Sequence, residues 1–297
     1  MIVCDSQVHI WAEETPSRPW TPGGRELVRD MGHRRKPIGF EELKVMMDEA
    51  GVDRVLVVPP TWDLDRNDLG LEAAEKYPDR FGLMGRVPLL NPETGKALLH
   101  EWQNIPGAKG VRLTFFRSEE AKWLLDGTAD WYWPIAEELG VPTMIHAAKF
   151  KKEVADIAKK HPGLKLILDH MGIPGGTKDD ECMSYVNGTL ALASFPNVSV
   201  KLSSLPSKTT APYPYENLNG YVRQVVDAFG PERCYWGTDL SRILGVVGGT
   251  YRQCVTHFTE EMDFLTTVEL DWIMGRALSV ALNWTMELND ASPKEEG

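Results

Sequence analysis

The chain has 297 residues, 42% of them hydrophobic and 25% charged, the proportions of an ordinary globular protein and enough chain for one α/β barrel of roughly 250 residues. With 43 acidic against 32 basic residues the net charge is −11 and no basic run offsets it, so nucleic acid and anionic membranes are not expected partners. No stretch approaches the roughly 18 uninterrupted apolar residues of a membrane span, and no charged-then-apolar leader precedes the first strand. Cys4, Cys182, Cys234 and Cys254 show no CxxC or framework spacing, which fits buried, reduced thiols in a cytoplasmic protein.

The first predicted strand, Ile2 to Ile10, carries Gln7 and His9 two residues apart. The period of 2 puts both side chains on one face, where they can converge on one ligand or metal. Residues 12–38, rich in Pro, Gly and Arg, then form a long connection before a helix over 41–49. From there short β-branched runs alternate with segments of helical period. Strands are predicted over 52–59, 81–87, 108–115, 142–146, 164–170, 198–203 and 234–239, and helices over 69–77, 92–103, 130–139, 152–161, 179–194 and 215–229. At 49–54, 138–142 and 161–165 a Gly stands where a helix stops and a strand starts.

Eight strands with intervening helices force right-handed crossovers and a parallel sheet, so the expected fold is a (β/α)8 TIM barrel, α/β in class. It forms one domain over 1–286, followed by a flexible tail over 287–297. A doubly wound open sheet would bring a Gly-rich loop after the first strand, and Trp11-Ala12-Glu13-Glu14 is nothing of the kind. A second long connection, 240–256, follows the last strand. In a barrel it and 12–38 both lie at the catalytic face, where they read as substrate-covering loops.

Function in a parallel barrel sits at the C-terminal ends of the strands, whatever the chemistry. Those ends carry His9, Arg86, Arg112, His146, His170, Ser203 and Asp239, three of the seven histidines among them, more than packing alone calls for. Arg112, with Arg86, Arg117, Lys201 and Arg242 near other strand ends, makes a basic cluster in an acidic protein. Guanidinium forks bind carboxylates and sulfonates, so a small anionic organic substrate is the expected partner. For any single member, a salt bridge to Asp63, Asp65 or Glu119 is the plainer alternative. Trp11, Trp62 and Trp236 lie beside the strand ends, either walling a pocket for a flat ring or filling core.

The pieces Asp5-Ser6-Gln7-Val8-His9-Ile10-Trp11, Gly110-Val111-Arg112-Leu113, Ile145-His146, Leu168-Asp169-His170-Met171-Gly172-Ile173-Pro174, Val200-Lys201-Leu202-Ser203 and Trp236-Gly237-Thr238-Asp239 run in an order and at a spacing that resemble the amidohydrolase superfamily, in its branch of small lactonases, hydrolases and related decarboxylases. The resemblance implies a distorted eight-stranded barrel and hydrolysis or decarboxylation of a small organic acid. It makes Asp239 the general base that takes a proton from water attacking a lactone, ester or amide carbonyl, where the plainer alternative is a helix N-cap. His170 becomes the orienting or proton-donating partner, or a structural hydrogen bond within the barrel. Arg112 completes the catalytic set, with Arg86, Arg117, Lys201, Arg242, Trp11 and Trp62 as substrate contacts.

The family usually begins His-x-His, or Glu-x-His in many decarboxylases, whereas this chain has Gln7-x-His9. A Gln amide oxygen is a neutral, poor zinc ligand. No lysine stands at the end of the fourth strand to be carbamylated, since Arg112 and Thr114 stand there, so a two-metal centre is not expected. The expected cofactor is one weakly held divalent ion, zinc first, on His9, His146 and Asp239 with Gln7 or water completing the shell. The alternative resembles the metal-free lactonases of this branch, in which cationic side chains polarise the carbonyl. The leading function is a cytoplasmic, catabolic hydrolase that opens a lactone, ester or cyclic amide of a small carboxylated metabolite. A metal-dependent nonoxidative decarboxylase of an aromatic or unsaturated acid, against which Gln7 counts, and a non-catalytic small-acid-binding barrel are the alternatives. The sequence is silent on oligomeric state, although barrels of this kind often form homodimers through their helices.

Overall fold

In the computed structural model, which describes residues 1–284, the β-branched runs form eight parallel strands that follow one another around a barrel in sequence order. They are β1 (Cys4–Val8), β2 (Arg54–Val57), β3 (Phe81–Gly85), β4 (Ala108–Thr114), β5 (Thr143–His146), β6 (Leu166–Leu168), β7 (Val198–Ser203) and β8 (Cys234–Gly237). Seven of them are preceded by a helix, from Phe40–Ala50 before β2 to Asn219–Phe229 before β8. Both faces of each strand are covered, which is why they read as near-continuous apolar runs rather than as alternating ones. The register pairs Val55 with Phe81, Leu113 with Ile145 and Leu202 with Trp236, so branched and aromatic side chains meet in layers. The expected tail over 287–297 lies outside the described residues.

The seam between β8 and β1 is joined differently from the ladders. The Asp239 N–H donates to the Gln7 carbonyl at 2.8 Å. Just beneath, the buried Asp5 carboxylate accepts from the Thr238 N–H at 2.9 Å, the Thr238 hydroxyl at 2.5 Å and the Tyr251 hydroxyl at 2.8 Å. Gly237 permits this approach, since a Cβ there would lie 2.5 Å from Ser6 Oγ.

Two expected elements differ from the observed ones. The sixth strand was expected to run through His170, but β6 ends at Leu168 because Asp169–Gly172 turns sharply, with His170 and Met171 at φ of 55° and 52°. The two long connections also contain helices: Gly24–Asp30 in the first, Leu240–Arg242 and the start of Tyr251–Thr259 in the second. Thr250 and Gln253 cap the last of these reciprocally, a Thr-x-x-Gln signal legible in the sequence. The two connections lie together: Arg34 N–H donates to the Ser241 carbonyl at 2.7 Å and Val246 N–H to the Gly32 carbonyl at 3.0 Å. They cover the strand ends beside the β8–β1 seam. All four cysteines are buried and unpaired, and among the described residues no helix is long and apolar enough to cross a membrane.

Candidate active site

A cavity of about 880 Å³ opens at the C-terminal ends of the strands under the two covering loops. Polar side chains line its floor: His9, Arg112, His146, His170, Lys208 and Asp239. Its walls are largely aromatic and apolar, from Trp62, Phe116, Tyr213, Tyr215 and Val246. Seven residues singled out from the sequence therefore share one chamber, namely His9, Trp62, Arg112, His146, His170, Asp239 and Arg242.

Asp239 stands two residues past the end of β8, in a left-handed backbone conformation with φ of 58°. A non-glycine residue holds that region at a cost, and such positions gather at functional sites; His170 shares the feature. Asp239 occupies the N-cap position of Leu240–Arg242, yet its side chain makes no capping hydrogen bond. One oxygen, Oδ2, accepts from the Ser204 hydroxyl at 3.1 Å. The other, Oδ1, is buried without any partner. Burial alone would raise this carboxyl, but His170, His33, His9 and Arg242 around it outweigh burial and hold it below the usual carboxylate range.

His9 faces Oδ1 from 3.5 Å through its Nε2. Its Nδ1 lies 2.6 Å from the Val58 carbonyl, which can only accept, so the proton sits on Nδ1 and Nε2 presents a lone pair. Gln7 supports the same tautomer. Lys201 donates to Gln7 Oε1, which turns the Gln7 amide nitrogen to His9 Nε2 at 3.4 Å. His33, from the first covering loop, completes this side: its ring lies 5.5 Å from that of His9, its Nδ1 contacts Ser241 Oγ at 2.7 Å, and its Nε2 is buried without a partner. Burial lowers His9 to about 4, and His33 and His170 to about 3. At neutral pH the imidazoles are uncharged beside an ionised carboxylate.

The opposite side of the floor is saturated. Arg112 donates from Nε to Asp169 at 3.1 Å, from Nη1 to the Thr114 hydroxyl at 2.5 Å and from Nη2 to His146 Nδ1 at 3.1 Å. A guanidinium has no acceptor, so His146 accepts on Nδ1 and carries its proton on Nε2. Lys201 donates to the other oxygen of Asp169 at 2.9 Å. Burial opposes ionisation of Asp169, yet Lys201 and Arg112 hold it charged. His170 adds a contact between Nδ1 and Ser203 Oγ at 2.8 Å.

Several residues expected to meet substrate stand elsewhere. Lys201 is fully buried inside the barrel, its ammonium held by Asp169 and Gln7, so it is an internal counter-ion rather than a substrate contact. Trp11 packs edge-on against Trp62 at 5.4 Å and lies behind the wall; Trp236 is core, its indole N–H donating to the Cys254 carbonyl. Arg86 and Arg117 border a second, smaller cavity. The residues expected to ligate a metal do not gather around one point: among the described residues no three His, Cys, Asp or Glu side chains stand together as a metal site.

Among the cavity residues that escaped the sequence reading are His33 and Lys208. His33 lies in an aperiodic loop, and nothing local distinguishes it. Lys208 stands five residues past β7, where Lys201 on the strand drew attention instead. Its ammonium donates to the carbonyls of Ile173 at 3.1 Å and Pro174 at 2.7 Å, and burial brings it down to about 7.

A family model described as Amidohydrolase matches residues 4–275. The L-fucono-1,5-lactonase of Burkholderia ambifaria is 25% identical over 256 residues, 82% of each chain. An amidohydrolase from Burkholderia multivorans solved with bound zinc superposes with a TM-score of 0.77 at 18% identity, over 95% of this chain and 99% of that one. A structure described as a 2-pyrone-4,6-dicarboxylic acid hydrolase from Pseudomonas putida gives 0.74 at 17% identity, over 96% and 99%.

Proposed function

This chain belongs to the amidohydrolase family, and from that premise we propose that it opens the lactone ring of a small carboxylated metabolite by general-base attack of water. The observation that carries this reading is Asp239 Oδ1, charged, buried and without a hydrogen-bond donor at the floor of the large cavity. A water there donates one proton to Asp239 Oδ1 and the other to Nε2 of His33, which is buried without a partner. Its remaining electron pair faces a carbonyl carbon above it. As the oxygen adds, Asp239 takes the proton, and the carbonyl oxygen becomes an oxyanion beside the Nε2–H of His146, a donor that Arg112 orients. Collapse breaks the bond to the ring oxygen, which leaves with the proton from Asp239. The product is a hydroxy acid. Arg242, whose Nε is buried without a partner, and Lys208 supply cationic donors for the substrate's own acid group. The similarity to a lactonase supports the substrate class.

A divalent ion does not fit the donors as they are arranged. The Gln7 carbonyl is taken by the Lys201 ammonium, a fixed cation beside the place an ion would enter, and His146 Nδ1 is taken by Arg112. The mechanism therefore uses side chains alone. Proton release on a panel of five- and six-membered lactones, followed with a pH indicator before and after exhaustive chelation, tests both points. Hydrolysis of a carboxylated lactone, indifferent to chelator, is expected. Failure on every lactone of the panel refutes the proposed reaction, and activity lost to chelator and restored by zinc refutes the metal-free mechanism.

A further inference from the structure

The second cavity, about 270 Å³, lies between the loops that follow β2, β3 and β4 and adjoins the large one across Arg112 and Thr61. Its volume suits a small acid rather than a full-sized ligand. Arg86 stands in its wall, only 8% exposed. Its Nε donates to the Pro59 carbonyl at 2.9 Å, but Nη2 is buried without a partner, and among the described residues no carboxylate lies within ion-pair distance of it. The other cations nearby are matched: Arg112 and Lys201 share Asp169, and Arg117 holds Glu120. Asp65 borders the chamber too, without a hydrogen bond to Arg86. Arg117 engages only Oε1 of Glu120, which leaves Glu120 Oε2 buried with no donor. Asp65 and Glu120 attract Arg86 only from beyond contact, and burial outweighs that attraction; a buried cation without a contacting counter-ion is costly, and an arriving anion offsets that cost.

We infer that this chamber binds a small hydroxy acid, its carboxylate on Arg86 Nη2 and its hydroxyl donated to Glu120 Oε2. The two unmatched atoms are one donor and one acceptor, the pair a hydroxycarboxylate complements and a simple anion does not. The inference stands on the chamber alone and goes beyond the lactone-opening reaction.

Calorimetric titration of the full chain with L-malate, and with succinate, which lacks the hydroxyl, tests it. Saturable binding is expected, with malate about tenfold tighter than succinate for the additional charge-assisted hydrogen bond. Arg86→Met abolishes binding of both acids. Glu120→Gln brings malate down to the affinity of succinate. Arg86→Met also unfolds at no lower a temperature than the parent, because it removes an unpaired buried charge; this separates loss of a ligand contact from loss of fold. Malate binding that persists in Arg86→Met, or no saturable binding to the parent, overturns the assignment. Inhibition kinetics then distinguish the source of the acid: competition with the lactone places the substrate's own acid group in the chamber, and inhibition without competition identifies a separate small acid.

Discussion

Around β4 to β7 the barrel floor leaves little polar capacity open: Arg112 spends all three of its nitrogens on Asp169, Thr114 and His146, and Lys201 bridges Asp169 and Gln7. Around β8 and β1 the same floor leaves Asp239 Oδ1 and His33 Nε2 buried and unmatched. Both regions are equally enclosed, so solvent access does not separate them. What separates them is charge compensation. The saturated side fixes orientation, including the tautomers of His146 and His9, while the open side keeps a carboxylate oxygen and a ring nitrogen available for a molecule that arrives from outside.

The sharpest way to break this comparison is Asp239→Asn, which keeps the volume but cannot take a proton. Turnover should fall about 10²- to 10⁴-fold with the urea midpoint unchanged, and near-normal turnover removes Asp239 from the chemistry. On the saturated side, Asp169→Asn strips two buried cations of their shared counter-ion. It should cost about 3–5 kcal/mol of stability, read as a lower urea midpoint, and a midpoint within error of the parent means that Arg112 and Lys201 are otherwise compensated. His33→Phe fills the same space without a ring nitrogen. A fall in kcat of about tenfold at constant KM is expected from one lost hydrogen bond to the attacking water, whereas a shift confined to KM assigns His33 to substrate binding.

The smallest effect expected is none at all. Asp239 titrates below the ordinary carboxylate range, and His9, His33 and His170 at about 4, 3 and 3. Each of these folded values lies below its ordinary one, so the active protonation state is already complete at mildly acidic pH. A profile of kcat/KM should therefore be flat between about pH 5 and pH 6. Lys208 limits the profile on the alkaline side: burial lowers its ammonium to about 7, so its charge is lost as pH rises through that point and an alkaline fall is centred there. Lys208→Arg moves that fall to higher pH. A fall that stays in place belongs to another group.

The barrel was legible in the chain because each strand is buried on both faces and so announces itself as a short apolar run between helical periods. His9, His146, Arg112 and Asp239 were legible for a related reason: a polar residue that closes such a run stands at the catalytic mouth. Beyond strand order, the sequence said which residues face the mouth, not what they touch there. Gln7 lies on the same strand face as His9 in either account, but its amide oxygen is claimed by Lys201, 194 residues away, and that contact decides whether it serves a metal or a tautomer. Arg86 and Arg117 sit at strand ends as expected, yet a neighbouring loop puts them in a different chamber. His33 enters the site only because its loop is held to the one after β8 by backbone hydrogen bonds. Periodicity is a local property, so the sequence by itself determined the strands, the crossovers and the end of the barrel where chemistry belongs. Charge compensation depends on atoms distant in sequence and close in space, so only the tertiary structure decided which polar groups are matched and which remain open.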